Sequence, residues 1–436
     1  MSGSLLAGLM LFLLLIGIFS GAYIGVFLLA TGFLGLWLII GDFGIAASML
    51  GTAPFYVLFE YALAVIPLFI LMGLFVEVSG ASEDLYNTFN LWLGKLRGGL
   101  GIATVLSNAV FAAVTGVSLA SAALFSKIAL PQMLRHGYDK KFTLGTVAGS
   151  SVLGMLIPPS ILFIVFGILA EESIGHLFIA GVIPGIVLSG IFSLGIVVMV
   201  HIRPRLAGTV LTTELTFLRK VRTSLKSWGV FALIILVLGG IYAGVFTPTE
   251  AGAVGAVGAF MLTGIRRKLT VANIRYALLE TGLVTAAFFL MFIGAQVFAR
   301  MLATSGFVSM VTEAAVNLPV APLIVVSIIL LIYIIMGAFL DSISIMIITL
   351  PIVLPVIRVL NLDVIWFGVV SVIAIETGLI TPPFGMVVFV MKSAIGENVT
   401  IEEIFLGAMP FLAMMLIALV ILVFFPILST WLPGLM

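Results

Sequence analysis

Long apolar runs alternate with short polar clusters along almost the whole chain. About 20 apolar residues in an α-helix cross the ~30 Å hydrocarbon core of a bilayer. Most of the runs approach or exceed that length, and the pattern predicts membrane spans near 5–20, 22–40, 53–76, 142–170, 177–200, 228–246, 251–265, 279–299, 364–392 and 403–426. We interpret 5–20 as a first span because neither a positive n-region nor a small-residue cleavage site accompanies it.

Two further apolar regions, 99–134 and 319–357, contain small or polar residues near their midpoints. We expect each to be a re-entrant helical hairpin. The predicted tips are Thr115-Gly116-Val117-Ser118 and the stretch from Gly337 to Ser342. Non-helical backbone at membrane depth is tolerated only where it is buried in protein or lines a water-filled cavity. The short mixed segments 81–97 and 306–318 are predicted to be interfacial arm helices beside the hairpins.

Composition supports a chain that lies mostly in lipid. Hydrophobic residues make up 63% of it and charged residues 8%, whereas soluble domains carry about 25% charged residues. A net charge of +1 gives no electrostatic basis for a nucleic-acid partner. The absence of cysteine excludes disulfides, thiolate metal sites and cysteine nucleophiles.

The basic residues predict the orientation. All but two of the 19 Lys and Arg residues fall on one side of the predicted map, leaving Arg300 and Arg358 on the other. Short loops rich in Lys and Arg lie in the cytoplasm. Both termini are therefore predicted to be periplasmic.

The chain contains an internal repeat. One constant shift along the chain superimposes 118–159 on 342–383, and the matches include Ser118 with Ser342, Pro131 with Pro355, Asp139 with Asp363, Gly154 with Gly378, and Pro158-Pro159 with Pro382-Pro383. General hydrophobic similarity would produce Leu, Ile and Val matches but not paired prolines. An odd number of predicted crossings separates equivalent points, so the second copy is inverted. We divide the chain into a first repeat (1–200), a basic cytoplasmic linker (201–227) and a second repeat (228–436).

The paired prolines predict two broken helices. Proline removes a backbone donor and clashes with the preceding turn. Freed carbonyls of 154–157 and 378–381 could ligate a hard cation, together with the hydroxyls of Ser150, Ser151, Thr377 and Thr381. Helix N-termini at the hairpin tips could face an anionic substrate. The alternative is a simple kink at each Pro-Pro pair, with the hydroxyls bonded back to their own helix.

Two carboxylates, Asp341 and Glu376, are placed at membrane depth, where ionisable groups are costly and usually functional. Asp341 is a candidate for the second cation site or for closing the tip. The alternative is that it caps the helix that starts at Ser342. Glu376 is either a coupling carboxylate or a structural hydrogen-bond partner. For Thr247 to Glu250 we favour ordinary helix capping.

Inverted repeats with broken helices at their interface are the architecture of secondary transporters. A membrane enzyme would need a polar catalytic set, and neither a Ser–His–carboxylate set nor histidines at metal-ligand spacing occur in the sequence. A passive scaffold would not need two matching broken helices.

Several motifs resemble the large membrane subunit of tripartite ATP-independent periplasmic (TRAP) transporters. They are Phe111 to Gly116, Pro131 to Tyr138, Gly149 to Ser160, Phe246 to Ala251 and Glu376 to Pro383. The resemblance covers essentially the whole chain. It implies an elevator mechanism driven by a sodium gradient, in a bacterial inner membrane. It also implies a periplasmic binding protein and a small four-helix membrane subunit, which we expect to be a separate chain.

The resemblance implies import of an organic acid, such as a C4-dicarboxylate or a sialic acid. It places sodium at the tips and breaks, at Thr115, Gly116, Ser118, Ser150, Ser151, Gly154 and Ile157 for the first site, and at Gly337, Asp341, Ser342, Thr377, Gly378, Thr381 and Pro382 for the second. Ser118 and Ser342 are the expected substrate-facing residues. In the family a serine often follows the tip glycine directly, whereas Val117 intervenes here. A free-standing sodium/carboxylate symporter is the alternative.

Overall fold

A computed structural model of the chain describes residues 2–208 and 217–436. These residues form α-helices, short 3₁₀ turns, a π-helical segment and loops, with no β-strand among them. In this described part, seven helical segments are long and apolar enough to cross a membrane, and further apolar helices of 10–17 residues accompany them. The predicted class, an all-α polytopic membrane protein, is confirmed.

The first half begins with two apolar helices and ends with a long one. Its described helices are α1 (Gly3–Phe19), α2 (Ile24–Ile40), α3 (Phe43–Phe59), α4 (Val65–Val78), α5 (Ala81–Leu93), α6 (Gly99–Thr115), α7 (Ser118–Arg135), α8 (Lys140–Ser151), α9 (Leu153–Leu156), α10 (Ile161–Ala170) and α11 (Ile174–Ile202).

The second half contains the longest described helix, α16. Its described helices are α12 (Phe217–Ser224), α13 (Trp228–Ile234), α14 (Gly240–Tyr242), α15 (Pro248–Ile265), α16 (Val271–Ser305), α17 (Phe307–Val316), α18 (Pro322–Gly337), α19 (Ser342–Val359), α20 (Val364–Gly378), α21 (Met386–Ile395), α22 (Ile401–Phe424) and α23 (Ile427–Thr430). A π-helical segment, 235–239, joins α13 to α14.

The predicted span 53–76 is wrong in its boundaries. An additional helix, α3, begins at Phe43 because the Asp42 carboxylate caps it by accepting from the Ile45 N–H at 3.0 Å. It ends before Glu60, whose backbone is extended. A 3₁₀ turn, Tyr61–Ala64, then leads into α4. The apolar composition continues across Glu60, and for that reason hydropathy alone merged two elements.

The described residues of the predicted linker 201–227 include short helical elements. Among them are a 3₁₀ turn, Pro204–Leu206, and the short helix α12. Residues 209–216 of the linker lie outside the described residues. On the other side of α14, Thr247 and Glu250 form a capping box at the start of α15, as favoured from the sequence.

Both predicted hairpins are helix–turn–helix pairs, formed by α6 with α7 and by α18 with α19. The predicted arm segments contain α5 and α17. The second arms of the hairpins, α7 and α19, begin and end at positions that the shift between the repeats superimposes. The helices that follow, α8 and α20, each begin after an aspartate cap, Asp139 or Asp363. These matched boundaries support the internal repeat, which remains a prediction.

Packing brings the hairpins against the broken helices. The first hairpin contacts α8 and α9, and the second contacts α20. Outside this centre, α16 packs along α2 and α4, and α15 packs along α4. The broken helices are almost entirely buried before their breaks, whereas the outer helices expose large apolar side chains. Such side chains face lipid in a membrane protein.

Candidate functional site

The first break lies against the first hairpin tip. The peptide bond between Pro158 and Pro159 is cis, and Ile157 before it has extended backbone. Gly116 at the tip has a φ of 65°, and a Cβ added to it would lie 2.5 Å from the Pro159 carbonyl oxygen. Only glycine meets both constraints at low cost. The Ile161 N–H donates to the Gly116 carbonyl at 3.3 Å, so tip and break are joined through backbone.

Gly154 lies on the broken helix, where the second arm of the first hairpin approaches its backbone closely. A Cβ there would lie 2.8 Å from the Ser118 backbone nitrogen and Cα. Thr115 ends α6, and its hydroxyl donates to the Phe111 carbonyl at 3.0 Å. The predicted residues Thr115, Gly116, Ser118 and Gly154 therefore belong to one contact between hairpin and broken helix.

Ser150 and Ser151 end α8, ahead of α9 and the break, and are fully buried. Their hydroxyls donate to the carbonyls of Thr146 (2.6 Å) and Ala148 (2.8 Å). The back-bonding predicted as the alternative is therefore present. A hydroxyl has one proton and two acceptor positions. The Ser151 oxygen therefore keeps both acceptor positions, and the Ser150 oxygen keeps one beside the hydrogen bond that it accepts from the Asn108 amide.

Asn108 is a polar residue of the first site that the sequence reasoning did not select. It lies on α6, is fully buried, and its amide donates to the Ser150 hydroxyl at 2.7 Å. Its Oδ1 atom has no hydrogen-bond partner among the described residues. Buried polar atoms are normally paired. A lone amide within an apolar hairpin arm was the available signal.

The second break repeats this arrangement in a tighter form. Gly337 ends α18 and lies directly on Gly378, and a Cβ added to Gly378 would lie 2.5 Å from the Gly337 Cα. The Gly385 N–H donates to the Ala338 carbonyl at 3.1 Å, as Ile161 does to Gly116 in the first repeat. The peptide bond between Pro382 and Pro383 is also cis.

The hydroxyls of the second site bond back to their helix as well. Thr377 donates to the Ile373 carbonyl at 2.6 Å, and Thr381 donates to the Thr377 carbonyl at 2.8 Å. The two breaks differ in exposure. Pro158 and Pro159 are buried, whereas Pro382 and Pro383 are exposed. In this conformation the second break is therefore the accessible one.

Asp341 caps α19. Its carboxylate accepts from the Ser344 N–H at 3.0 Å and also contacts the Ser344 hydroxyl. Of the roles considered for this residue, the hydrogen bonds show the helix cap.

Glu376 on α20 contacts the start of the second arm of each hairpin. It is 1% exposed and accepts hydrogen bonds from both predicted tip serines, at 2.5 Å from Ser118 and 2.7 Å from Ser342. The shift predicted from the sequence superimposes these two serines, and both contact the same carboxylate. From the sequence, Glu376 is either a coupling carboxylate or a structural hydrogen-bond partner, and it is not among the predicted site residues. Its signal was a single carboxylate in an apolar span.

A cavity of about 480 Å³ opens beside the first tip. Thr115 and Val117 line it at the hairpin, and Glu77, Lys127 and Glu280 contribute charged side chains. Its volume is within the range of small-molecule sites.

Hairpins, broken helices and a buried polar centre within a bundle of membrane-length helices are features that secondary transporters share. The fold resembles that of the YdaH transporter of Alcanivorax borkumensis, with a TM-score of 0.57 over 89% of this chain and 87% of that one. The two sequences are 16% identical, so this likeness concerns the fold alone.

Residues 9–428 match the family model described as tripartite ATP-independent periplasmic transporter, DctM component, and the chain belongs to this family. The C4-dicarboxylate TRAP transporter large permease protein DctM of Pseudomonas aeruginosa is 36% identical over 86% of this chain and 87% of its own length. The sialic acid TRAP transporter permease protein SiaT of Haemophilus influenzae is 29% identical over 87% of this chain and 61% of its own length. These relatives are permeases, and this chain is a transporter subunit rather than an enzyme.

Proposed function

We propose that the chain is the translocating subunit of a sodium-coupled importer of small organic acids in a bacterial inner membrane. The observation that carries the proposal is the meeting of two repeat-matched hairpin tips with two broken helices. Each contact joins a tip carbonyl to an amide that follows the break. Transporters bind coupling ions and substrate where helices are interrupted, because free carbonyls and helix ends lie there.

The first sodium site is proposed at Ser118, Ser150, Ser151 and the carbonyls that precede Pro158. Hydroxyl oxygens whose protons are bonded elsewhere, together with carbonyl oxygens, are suitable ligands for a small hard cation. The unpartnered Oδ1 of buried Asn108 supports this placement, because a cation would satisfy an acceptor that otherwise remains unpaired.

The second sodium site is proposed around Gly337, Ser342, Thr377, Thr381 and the carbonyls that precede Pro382. The contact of Gly337 with Gly378 brings the end of α18 onto the break, so an ion there would touch both the hairpin and the broken helix. Asp341 acts there by holding the start of α19.

The transported molecule is proposed to be a carboxylate delivered by a periplasmic binding protein. The relative at 36% identity is a C4-dicarboxylate permease, which makes C4-dicarboxylates the first candidates to test. A small membrane subunit completes the assembly. The cavity beside Thr115 and Val117 provides space for an acid of this size.

An elevator movement of the hairpins and broken helices against the outer helices is proposed to carry the bound acid. A ligand shifts a conformational equilibrium only by its differential affinity for the two states. Sodium and substrate must therefore stabilise the movable, closed form together, and ion sites that join tip to break would do so.

The proposal is tested by uptake of radiolabelled organic acids into proteoliposomes. The vesicles contain the chain and its small partner subunit, with and without an inward sodium gradient and purified binding protein. Uptake that requires both sodium and the binding protein is expected. Sodium-driven uptake without the binding protein would instead favour the free-standing symporter. Equal uptake with a proton gradient in sodium-free buffer would refute the proposed cation sites.

A further inference from the structure

One carboxylate serves both hairpin tips. Ser118 and Ser342 are matched by the shift between the repeats, yet both hydroxyls donate to Glu376. The position that corresponds to Glu376 in the first repeat is Val152. The carboxylate therefore exists in one copy only and lies between two equivalent serines, which ties the two tips to a common group.

The direction of these hydrogen bonds determines which kind of ligand each serine hydroxyl can still bind. An ionised carboxylate is an acceptor only, and a serine hydroxyl has a single proton. Once that proton is donated to Glu376, the hydroxyl oxygen presents only lone pairs to its other neighbours. Such an oxygen is a ligand for a cation. It cannot donate a hydrogen bond to the carboxylate of an organic acid.

The charge balance of the centre points the same way. Glu376 is 1% exposed, and a buried charge is costly unless it is paired. The two ion pairs within the described residues, Lys140 with Glu403 and Arg266 with Asp84, lie elsewhere. Cations bound next to Ser118 and Ser342 would supply the missing positive charge.

We propose that Glu376 is a positioning residue that turns the hydroxyls of Ser118 and Ser342 toward the coupling cations. Both serines then belong to the ion sites, not to the substrate surface. One carboxylate sets the cation affinity at both tips. The inference rests on the proposed sodium coupling and deepens it.

The variant Glu376→Gln separates this role from a purely structural one. Glutamine has nearly the same shape, but its amide group donates where the carboxylate oxygen accepted. One of the two serines must then accept from the amide, and its proton competes with the cation. We expect the sodium concentration for half-saturation to rise about tenfold or more, which corresponds to about 1.4 kcal/mol. The organic-acid KM at saturating sodium should change little.

The experiment measures thermal stabilisation of the purified chain by NaCl against choline chloride, and then sodium-dependent uptake in the reconstituted transporter. Ser118→Ala and Ser342→Ala are measured beside Glu376→Gln, so the test does not depend on one variant folding. Glu402→Gln, an exposed Glu-to-Gln change at the start of α22, is the matched control and should behave as wild type. Each serine variant should raise the sodium half-saturation as Glu376→Gln does.

The outcomes distinguish this inference from the proposed function. If sodium does not stabilise the wild-type protein and its uptake of organic acid does not depend on sodium, the proposed coupling is wrong. If wild type responds to sodium and Glu376→Gln responds equally, the role given to Glu376 is wrong. A higher organic-acid KM in the serine variants, with unchanged sodium half-saturation, would place the serines on the substrate and overturn the inference.

Discussion

Replacing Gly378 by alanine tests whether the close approach of the second hairpin to its broken helix is required. The added Cβ would lie 2.5 Å from the Gly337 Cα and 2.6 Å from the Ile334 carbonyl oxygen. Both are backbone atoms, so no side chain can rotate away. The hairpin and α20 must separate by roughly 1 Å to restore ordinary van der Waals contact.

The cost follows from that displacement. Overpacking of a filled interior costs about 1–3 kcal/mol, and the better helix propensity of alanine returns at most about 1 kcal/mol. We therefore expect Gly378→Ala to lower stability by up to about 2 kcal/mol. Binding groups must be held within roughly 0.5 Å of their working geometry, so the same separation should raise the sodium half-saturation severalfold.

The assay is thermal unfolding of purified protein in NaCl and in choline chloride, followed by sodium-dependent uptake in proteoliposomes. Gly282→Ala is the matched control, because Gly282 is exposed within α16 and a Cβ there would meet nothing within 4 Å. Equal midpoints and equal sodium responses for Gly378→Ala and Gly282→Ala would refute the reasoning.

Three further predictions concern the first site, the cap and the topology. Asn108→Leu should weaken sodium-dependent stabilisation because it removes an acceptor beside Ser150. The control Ser193→Ala loses only a back-bond in α11 and should leave sodium-dependent stabilisation unchanged. Equal effects of the two variants would exclude a role for Asn108 in ion binding. Asp341→Asn keeps a capping oxygen and should preserve both the unfolding midpoint and the sodium half-saturation. Asp341→Ala should lower stability by about 1 kcal/mol because the cap is lost. Loss of the sodium response in the Asn variant would instead identify Asp341 as an ion ligand. The chain has no cysteine, so Leu218→Cys and Gly434→Cys report topology directly. A membrane-impermeant thiol reagent should label position 434 from the periplasm and position 218 only after the membrane is opened. The reverse labelling pattern would show that the orientation is opposite to the proposed one.

The sequence predicted the elements whose cause is local. Apolar runs become helices in lipid because every backbone polar group must be satisfied within the segment. The Pro-Pro pairs end α9 and the turn after α20 through a missing donor and a steric clash. Gly116 lies in a predicted tip and has a positive φ, a conformation that glycine adopts at little cost. The start of α3 at Phe43 was missed because its signal, the Asp42 cap, is small beside continuous hydropathy.

Only the tertiary structure decided which of these residues work together. Hydropathy contains no information on which hairpin faces which helix, so it could not bring Ser118 to Glu376 across 258 positions of chain. The same holds for the contact of Gly337 with Gly378 and for the amide of Asn108 on Ser150. Helix formation depends on neighbours within a few residues. The polar centre instead depends on packing between helices that are distant in sequence, which brings one carboxylate and two hydroxyls into hydrogen-bond contact.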